Sequence, residues 1–185
     1  KTSVSKMLEK LGVHIIDTDV IAHEIVEPNS DCLNELVDYF GDSILNDDKT
    51  LNRKKLASIA FSDKQKTEAL SNITHKYIKA EVVKDINTTD AELVGIDGAV
   101  IIGSNVEPLC EFIVSIIADK QSRITRIKTR DNITDEQAIQ RINAQNDDEF
   151  YKENSMYIIY NNGDIAQLES DVVVLFNKIK GNSFE

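Results

Sequence analysis

Two short groups of polar residues near the start of the chain could act on a phosphate ester. Lys1 and Thr2 open an amphipathic segment, and Asp17 and Asp19 follow an apolar run. A lysine ammonium can contact the terminal phosphates of a nucleotide, and a threonine hydroxyl can ligate the Mg²⁺ that bridges them. A kinase acting on an alcohol also needs one carboxylate near the acceptor hydroxyl and another near the metal. These residue types therefore indicate phosphoryl transfer.

Lys1-Thr2 fits the last two positions of the phosphate-binding motif G-x-x-x-x-G-K-[ST]. The dipeptide is common by chance, but a helix follows it and then an apolar strand that ends in acids, as the motif requires. We expect the preceding strand and the loop glycines to be missing from this chain, which should then bind ATP poorly. The alternative is that Lys1 is a frayed terminal residue and Thr2 is a helix N-cap.

Asp17 and Asp19 are two residues apart, so on an extended strand their side chains would point the same way. One of them could then orient the acceptor hydroxyl while the other lies near a metal ion. The alternative for Asp19 is an Asx turn or the N-cap of a helix over Val20–Val26. The spacing alone leaves both possibilities open.

Alternating helices and apolar strands predict an α/β fold with a parallel sheet. The predicted strands are Val13–Ile16, Glu92–Asp97 with a continuation at Ala99–Ile102, Phe112–Ile117 and Tyr157–Tyr160. The predicted helices outside the central region are Thr2–Leu11, Gln121–Arg130, Thr134–Asn143 with a capping pattern from Thr134 to Gln137, and Ile165–Ile179.

The stretch between the first two strands is predicted to be a helical insertion. Its apolar faces are Leu33, Leu36, Val37 and Phe40 before Gly41, then Leu56, Ile59, Ala60 and Phe61, then Leu70, Ile73, Tyr77 and Ile78. A basic helix pair follows later, with Arg123, Arg126, Lys128, Arg130 and Arg141.

Composition limits the class of protein. A chain of 185 residues suits one domain, and a net charge of −11 argues against broad nucleic-acid binding. No apolar run approaches the ~20 residues of a membrane span, and only Cys32 and Cys110 are present. We therefore expect a cytoplasmic protein without a membrane partner, either a monomer or a weak homo-oligomer.

The segment GVHIIDTDVIAHEIVEP, from Gly12 to Pro28, resembles the dephospho-CoA kinase family, a family of P-loop kinases. The corresponding family pattern reads roughly G-x-x-x-I-D-A-D-x-I-A-R-x-V-V-E-P. The likeness continues at Phe40-Gly41, Leu51-Asn52-Arg53, Ala60-Phe61, His75, Ile78, Arg126, Arg130-Asp131, Arg141 to Gln145, and Tyr160 to Gly163.

The resemblance implies a P-loop NTPase-type parallel sheet flanked by helices, with a helical substrate-binding insertion and a small helical lid. The implied nucleotide-binding core comprises residues 1–23, 87–119 and 156–185. The region that binds the CoA precursor would be 24–86, and the lid would be 120–155.

The resemblance also implies the reaction, which is ATP-dependent phosphorylation of the 3′-hydroxyl of dephospho-CoA, with Mg²⁺. The implied roles follow position by position. Asp19 is implied to be the catalytic base and to bind the substrate together with His75, Arg53 and Asp97. The residues implied to be catalytic and to contact ATP are Lys1, Arg126 and Arg141, and the ATP site is completed by Thr2, Asn162 and Gly163. The implied metal ligands are Thr2 and Asp17.

Some features favour other interpretations. Arginines on helix faces are usually solvated, and a lone histidine such as His75 is more often a partly buried structural residue. The segment from Asp97 to Gly103 departs from the family's D-x-P-L-L-F-E, and His23, Lys76 and Arg123 are further departures. The alternatives are therefore a related P-loop kinase for another small alcohol or nucleotide, and a catalytically silent protein that binds a nucleotide or CoA.

Overall fold

The computed structural model describes residues 1–182. The chain folds into two compact units. The central unit is Val13–Leu109, and the terminal unit combines Lys1–Gly12 with the chain from Cys110 onward. In chain order the elements are α1 (Thr2–Lys10), β1 (His14–Asp17), α2 (Thr18–Glu24), α3 (Asp31–Phe40), α4 (Arg53–Ala60), α5 (Lys64–Thr88), β2 (Val94–Asp97), β3 (Val114–Ile117), α6 (Lys120–Asp131), α7 (Asp135–Asn143), α8 (Asp148–Glu153), β4 (Tyr157–Tyr160) and α9 (Ile165–Asn182).

The central unit is built on the parallel pair of β1 and β2. Their register places His14 opposite Val94 and Asp17 opposite Asp97, so both strands end at the same edge. The helices α2 to α5 form the crossover between the two strands. A parallel pair needs such a crossover, and the long helical insertion predicted from the sequence provides it.

The core of the central unit lies between these strands and helices. Leu36, Ile44 and Val82 are fully buried, and Ile16 is 2% exposed. The predicted apolar face of α3 is confirmed, but Phe61 does not belong to the core and is 69% exposed. The helix α4 ends at Ala60 and Phe61 is its C-cap, so the helical spacing no longer applies to its side chain.

The terminal unit contains a second parallel pair, β3 and β4, in which Val114 is opposite Tyr157. The helix α1 packs on α9, where Val172 is fully buried, and Val4 is the buried residue of α1. A separate small cluster of Ile124, Ala138 and Ile142 joins α6 to α7.

The α/β class and the parallel strand pairing are confirmed. The strand Tyr157–Tyr160 has the predicted bounds, and Thr134 and Gln137 form the predicted capping box. The predicted strand at Ala99–Ile102 is wrong, because β2 ends at Asp97 and the chain then turns. The carbonyl of Ile101 accepts hydrogen bonds from Ser104 N (2.9 Å) and Ser104 Oγ (2.6 Å), which are turn contacts rather than a strand ladder.

Candidate active site

The end of β1 and the start of α2 are joined by the side chain of Asp17. Its Oδ1 accepts hydrogen bonds from the backbone N–H groups of Asp19 (2.8 Å) and Val20 (3.1 Å), so Asp17 is the N-cap of α2. The alternative that Asp19 caps the helix is therefore wrong. The two carboxylates also do not share one face of a strand, because the helix already begins at Thr18.

Asp19 lies in the first turn of α2 and is exposed. Its carboxylate has no hydrogen-bond or ion-pair partner among residues 1–182, which the structure describes. Its backbone carbonyl is occupied by the ring of His23, with Nδ1 at 2.7 Å. The side chain of Asp19 is thus available to an external group.

Asp19 lines a cavity of about 130 Å³ inside the central unit. Helix α2, helix α5 and the chain after β2 form its walls, with lining residues Thr18, Asp19, Ala22, His75, Ile78, Ala99, Val100, Ile101, Ser104, Asn105 and Val106. The cavity lies beside the carboxyl ends of β1 and β2, which is the edge where open α/β sheets bind ligands. Its mixed polar and apolar lining suits a polar organic substrate.

Two of the four predicted substrate-binding residues, Asp19 and His75, line this cavity. His75 is partly buried, and its backbone carbonyl accepts a hydrogen bond from Asn105 Nδ2 at 2.8 Å. Asp97 ends β2 directly before the cavity-lining segment, and its carbonyl accepts a hydrogen bond from Thr18 Oγ1 at 3.1 Å. Arg53 does not line the cavity; it is exposed at the start of α4.

The sequence analysis missed three polar residues of the cavity: Thr18, Ser104 and Asn105. Thr18 lies between the two predicted acidic residues, so its position was a usable signal. Ser104-Asn105 follows an apolar run and Gly103, a combination that is typical of a turn. The family-divergent segment from Asp97 to Gly103 therefore leads into the wall of the cavity.

In the terminal unit, Lys1 is the N-cap of α1 and Thr2 is its first helical residue. The alternative that Thr2 is the N-cap is therefore wrong. The backbone carbonyl of Lys1 accepts from Val4 N (2.8 Å) and Ser5 N (3.1 Å), which closes the first helical turn. Both residues lie where the helix presents its N–H groups and positive dipole end, as phosphate binding requires.

Three predicted ATP-binding residues come together where α6 meets the end of β4. Arg126 Nη2 donates to the carbonyl oxygen (2.9 Å) and to Oδ1 (3.1 Å) of Asn161. Asn162 Oδ1 accepts from the backbone N–H of Asp119 at 2.7 Å, and Asp119 is the N-cap of α6. Gly163 follows directly, and nothing lies within 4 Å of where its Cβ would be.

Arg141 on α7 forms an ion pair with Asp131, the last residue of α6. Arg130 contacts the same carboxylate through Nε (2.6 Å) and Nη2 (2.9 Å). The Arg130 hydrogen bonds lower the pKa of Asp131 most, and the charges of Arg130 and Arg141 add to this. Both Arg126 and Arg141 are exposed, as is usual for arginines on helix faces. Each nevertheless has a specific partner, Asn161 for Arg126 and Asp131 for Arg141.

Within residues 1–182 the structure shows no cluster of three or more His, Cys, Asp or Glu side chains suited to a metal ion. The helices of that same range include none that is long and apolar enough to span a bilayer. Cys32 is buried, and this burial, followed by the negative charge of Glu35, raises the pKa of its thiol to about 11.

Comparison with known proteins gives one consistent result. A family model described as dephospho-CoA kinase matches residues 1–167. The dephospho-CoA kinase of Listeria monocytogenes is 33% identical over 185 residues, covering 98% of this chain and 92% of the relative. The dephospho-CoA kinase of Lactobacillus johnsonii is 33% identical over 182 residues, which cover 97% of this chain and 92% of the relative.

Solved structures are similar as well. The dephospho-CoA kinase from Campylobacter jejuni has a TM-score of 0.67 at 28% identity and covers 98% of this chain and 92% of that one. The crystal structure of TT1252 from Thermus thermophilus has a TM-score of 0.82 at 21% identity and covers 96% of this chain and 90% of that one. The second likeness supports the fold alone.

Proposed function

Because the chain belongs to the dephospho-CoA kinase family, we propose that it transfers the terminal phosphoryl group of ATP to the 3′-hydroxyl of dephospho-CoA. The products are CoA and ADP, and the reaction is the last step of CoA synthesis. The structural observation that carries the proposal is the carboxylate of Asp19, which has no polar partner within residues 1–182 and lines a cavity beside the ends of β1 and β2.

On the acceptor side, we propose that Asp19 is the general base. The hydroxyl oxygen forms a bond to the γ-phosphorus, the bond from that phosphorus to the ADP oxygen breaks, and the hydroxyl proton passes to the Asp19 carboxylate. Asp19 suits this role because its carboxylate is exposed to the cavity and has no partner within residues 1–182. We further propose that His75, Arg53 and Asp97 bind the substrate.

On the donor side, we propose that Lys1 and Thr2 bind the ATP phosphates at the start of α1. Arg126 and Arg141 are proposed to bind the same phosphates, because a planar guanidinium can meet spread charge with two parallel hydrogen bonds. Each would exchange its present partner, Asn161 or Asp131, for phosphate oxygens. Asn162 and Gly163 are the proposed contacts near the adenine.

The oxygen donors of the proposed metal ligands are of the chemical type that Mg²⁺ prefers. Mg²⁺ keeps several waters and takes only one or two carboxylates together with substrate phosphates, so a cluster of three acidic ligands is not required. Asp17 uses Oδ1 for capping, while its Oδ2 accepts no hydrogen bond within residues 1–182. The proposed ligands are Thr2 and Asp17, and the ion would neutralise charge on the phosphates.

The proposed limits of the functional parts remain those of the family, with a nucleotide core, a substrate region at 24–86 and a lid at 120–155. We also propose that the protein acts in the cytoplasm as a monomer or weak homo-oligomer. The net charge of −11 supports a protein that does not bind nucleic acid.

The test is ADP formation by the purified full-length protein with Mg²⁺–ATP, measured with and without dephospho-CoA. The proposal predicts ADP formation that depends on dephospho-CoA, with CoA produced in equal amount. A panel of other small alcohols and nucleosides should give much lower kcat/KM.

A second candidate function follows from the divergent segment from Asp97 to Gly103, which leads into the cavity wall. It is a related kinase for another small alcohol or nucleotide, and a higher kcat/KM for another member of the panel would favour it. Tight binding of ATP and dephospho-CoA without turnover would instead indicate a silent binding protein.

A further inference from the structure

The first turn of α2 is tied to the end of β2 through Thr18. Its Oγ1 donates a hydrogen bond of 3.1 Å to the backbone carbonyl of Asp97. Thr18 is partly buried and lines the same cavity as Asp19. The next two N–H groups, of Asp19 and Val20, are held by Asp17 Oδ1. The backbone around Asp19 is therefore held by hydrogen bonds to the ends of both β1, through Asp17, and β2, through Asp97.

The position of the Asp19 carboxylate is set by its backbone and not by polar contacts of its own. Its carboxylate has no hydrogen-bond or ion-pair partner in the described range, residues 1–182. The position of the carboxylate in the cavity therefore depends on where the backbone of the first turn is held. A change in the Thr18–Asp97 contact would move Asp19 without removing its charge.

Gly98 makes the Thr18 contact possible. A Cβ at position 98 would lie 2.3 Å from Thr18 Oγ1 and 2.8 Å from Ile101 Cδ1, and real Cβ atoms essentially never come that close. The backbone of Gly98 is not in the left-handed region, so glycine is needed here for space and not for its conformation. Any side chain at 98 would force Thr18 into another rotamer and break its hydrogen bond.

We propose that Thr18 and Gly98 are a positioning pair for the catalytic carboxylate: Gly98 leaves room for the Thr18 hydroxyl, which holds the first turn of α2 on β2 and so sets where Asp19 meets the acceptor hydroxyl. The inference rests on the proposed function, since it concerns the geometry of that same reaction. A misplacement of about 1 Å can reduce a rate by about 10²-fold, so a single hydrogen bond that sets position has a measurable effect.

Thr18→Val tests the hydrogen bond, because valine keeps the branched shape and removes the donor. We expect kcat for phosphoryl transfer to fall about tenfold while the KM for ATP stays unchanged. Thr18→Ser keeps the donor and should restore kcat to within about twofold of wild type. Thr74→Val is the matched control, because Thr74 Oγ1 also donates to a backbone carbonyl, of Leu70 at 2.8 Å, and Thr74 is not one of the residues that line the cavity.

Gly98→Ala tests whether the Thr18 hydroxyl needs the space left by the missing side chain at position 98. The substitution is made in the wild-type protein and in a Thr18→Ala background. In the wild-type background we expect a fall in kcat of about tenfold, as for Thr18→Val. In the Thr18→Ala background the hydroxyl is already absent, and the remaining close contact is with the end of the flexible Ile101 side chain, which can rotate away, so Gly98→Ala should change kcat by less than about twofold more. Independent effects that multiply would overturn the pairing.

The thermal midpoint of every variant is measured beside kcat. A variant set that loses stability but keeps kcat at 25 °C would assign Thr18 a structural role only and overturn the inference. The proposed function fails separately, if the wild-type protein forms no ADP that depends on dephospho-CoA.

Discussion

At the scale of single residues, the central contrast is between Asp17 and Asp19. The two carboxylates are close in sequence, but Asp17 caps α2 through Oδ1, while the Asp19 carboxylate has no hydrogen-bond or ion-pair partner within residues 1–182. The structure thereby separates a carboxylate that caps a helix from one that does not, and we propose that the second takes the acceptor's proton. Substitution of Asp19 should therefore remove its function with little effect on the fold.

Asp19→Asn keeps the shape of the side chain and removes the base. We expect kcat to fall about 10²-fold or more, because general-base catalysis typically contributes that much, while circular dichroism and the thermal midpoint stay close to wild type. Asp31→Asn is the matched control, since Asp31 is also an exposed carboxylate in the first turn of a helix. Unchanged turnover in Asp19→Asn would remove Asp19 from the mechanism.

The sequence could predict which residue types would serve the reaction, but not their partners. Asp19 was found because it lies two residues beyond an acid that ends an apolar run. Whether Asp19 is the N-cap depends on the residue at which α2 begins. The sequence pattern does not locate that residue to within one or two positions. Arg141 was identified on its helix, yet its pairing with Asp131, ten residues earlier, depends on how α6 and α7 pack.

At the scale of elements, the sequence was most informative where local pattern and local chemistry agree. The run Tyr157–Tyr160 is β-branched and aromatic and is followed by Asn161-Asn162-Gly163, so its strand was predicted with the correct ends. The run Ala99–Ile102 has a similar composition but is not a strand. In this segment the Ser104 hydroxyl donates a hydrogen bond to the Ile101 carbonyl and stabilises a turn. The hydrophobic pattern of the sequence does not indicate that contact.

The helices α3 and α5 are joined by an ionisable contact that should make stability depend on pH. Glu35 Oε2 accepts hydrogen bonds from Lys76 Nζ and Tyr77 OH, both at 2.7 Å. The Lys76 hydrogen bond, and then the Tyr77 one, hold the pKa of Glu35 below its ordinary value. Because the folded pKa is lowered, the contact stabilises the fold above the unfolded pKa of about 4.3 and is lost as pH falls through the folded pKa.

We therefore expect Glu35→Gln to lower the thermal midpoint at pH 7, and the difference from wild type to disappear in acid, below the folded pKa of Glu35. Thermal unfolding followed by circular dichroism across that range measures this. Glu81→Gln is the control, because Glu81 pairs with Lys84 of the same helix and, among residues 1–182, contacts no second helix through an ion pair. An equal effect of both substitutions at every pH would contradict the prediction.

Helix α9 offers a matched pair for packing. Val172 is fully buried and Val174 is 65% exposed, although both are valines on one helix. We expect Val172→Ala to reduce the free energy of unfolding by about 2 kcal/mol, from lost burial and the cavity left behind. Val174→Ala should change it by less than about 0.5 kcal/mol. Urea unfolding followed by the helical signal measures both, and similar losses would show that α9 is not oriented as described.

At the scale of the whole molecule, the net charge of −11 conceals the local electrostatics. The basic residues of α6 and α7 are largely paired with nearby acids, as Lys128 is with Asp135, Arg141 with Asp131, and Arg123 with Asp148. Arg126 instead donates to Asn161. A phosphate ligand would therefore replace existing partners, which global composition could not indicate.

Binding of the acceptor should stabilise the folded protein by linkage. At 100 times its Kd, dephospho-CoA should add about 2.7 kcal/mol to the free energy of unfolding. Asp19→Asn should keep most of this stabilisation, because asparagine keeps the shape of the side chain and an oxygen that can still accept a hydrogen bond from the acceptor hydroxyl. Thermal shift assays with dephospho-CoA, and with inorganic phosphate at equal ionic strength as the control, measure it. A shift of equal size with phosphate alone would show that the cavity does not select the acceptor.

The crowding at Gly98 also links the choice of residue at two positions that lie far apart in the sequence. A threonine at position 18 can reach the Asp97 carbonyl only while position 98 carries no side chain, because the two groups would otherwise occupy the same space. A library randomised at both positions and selected for activity should therefore return glycine at 98 wherever it returns threonine at 18.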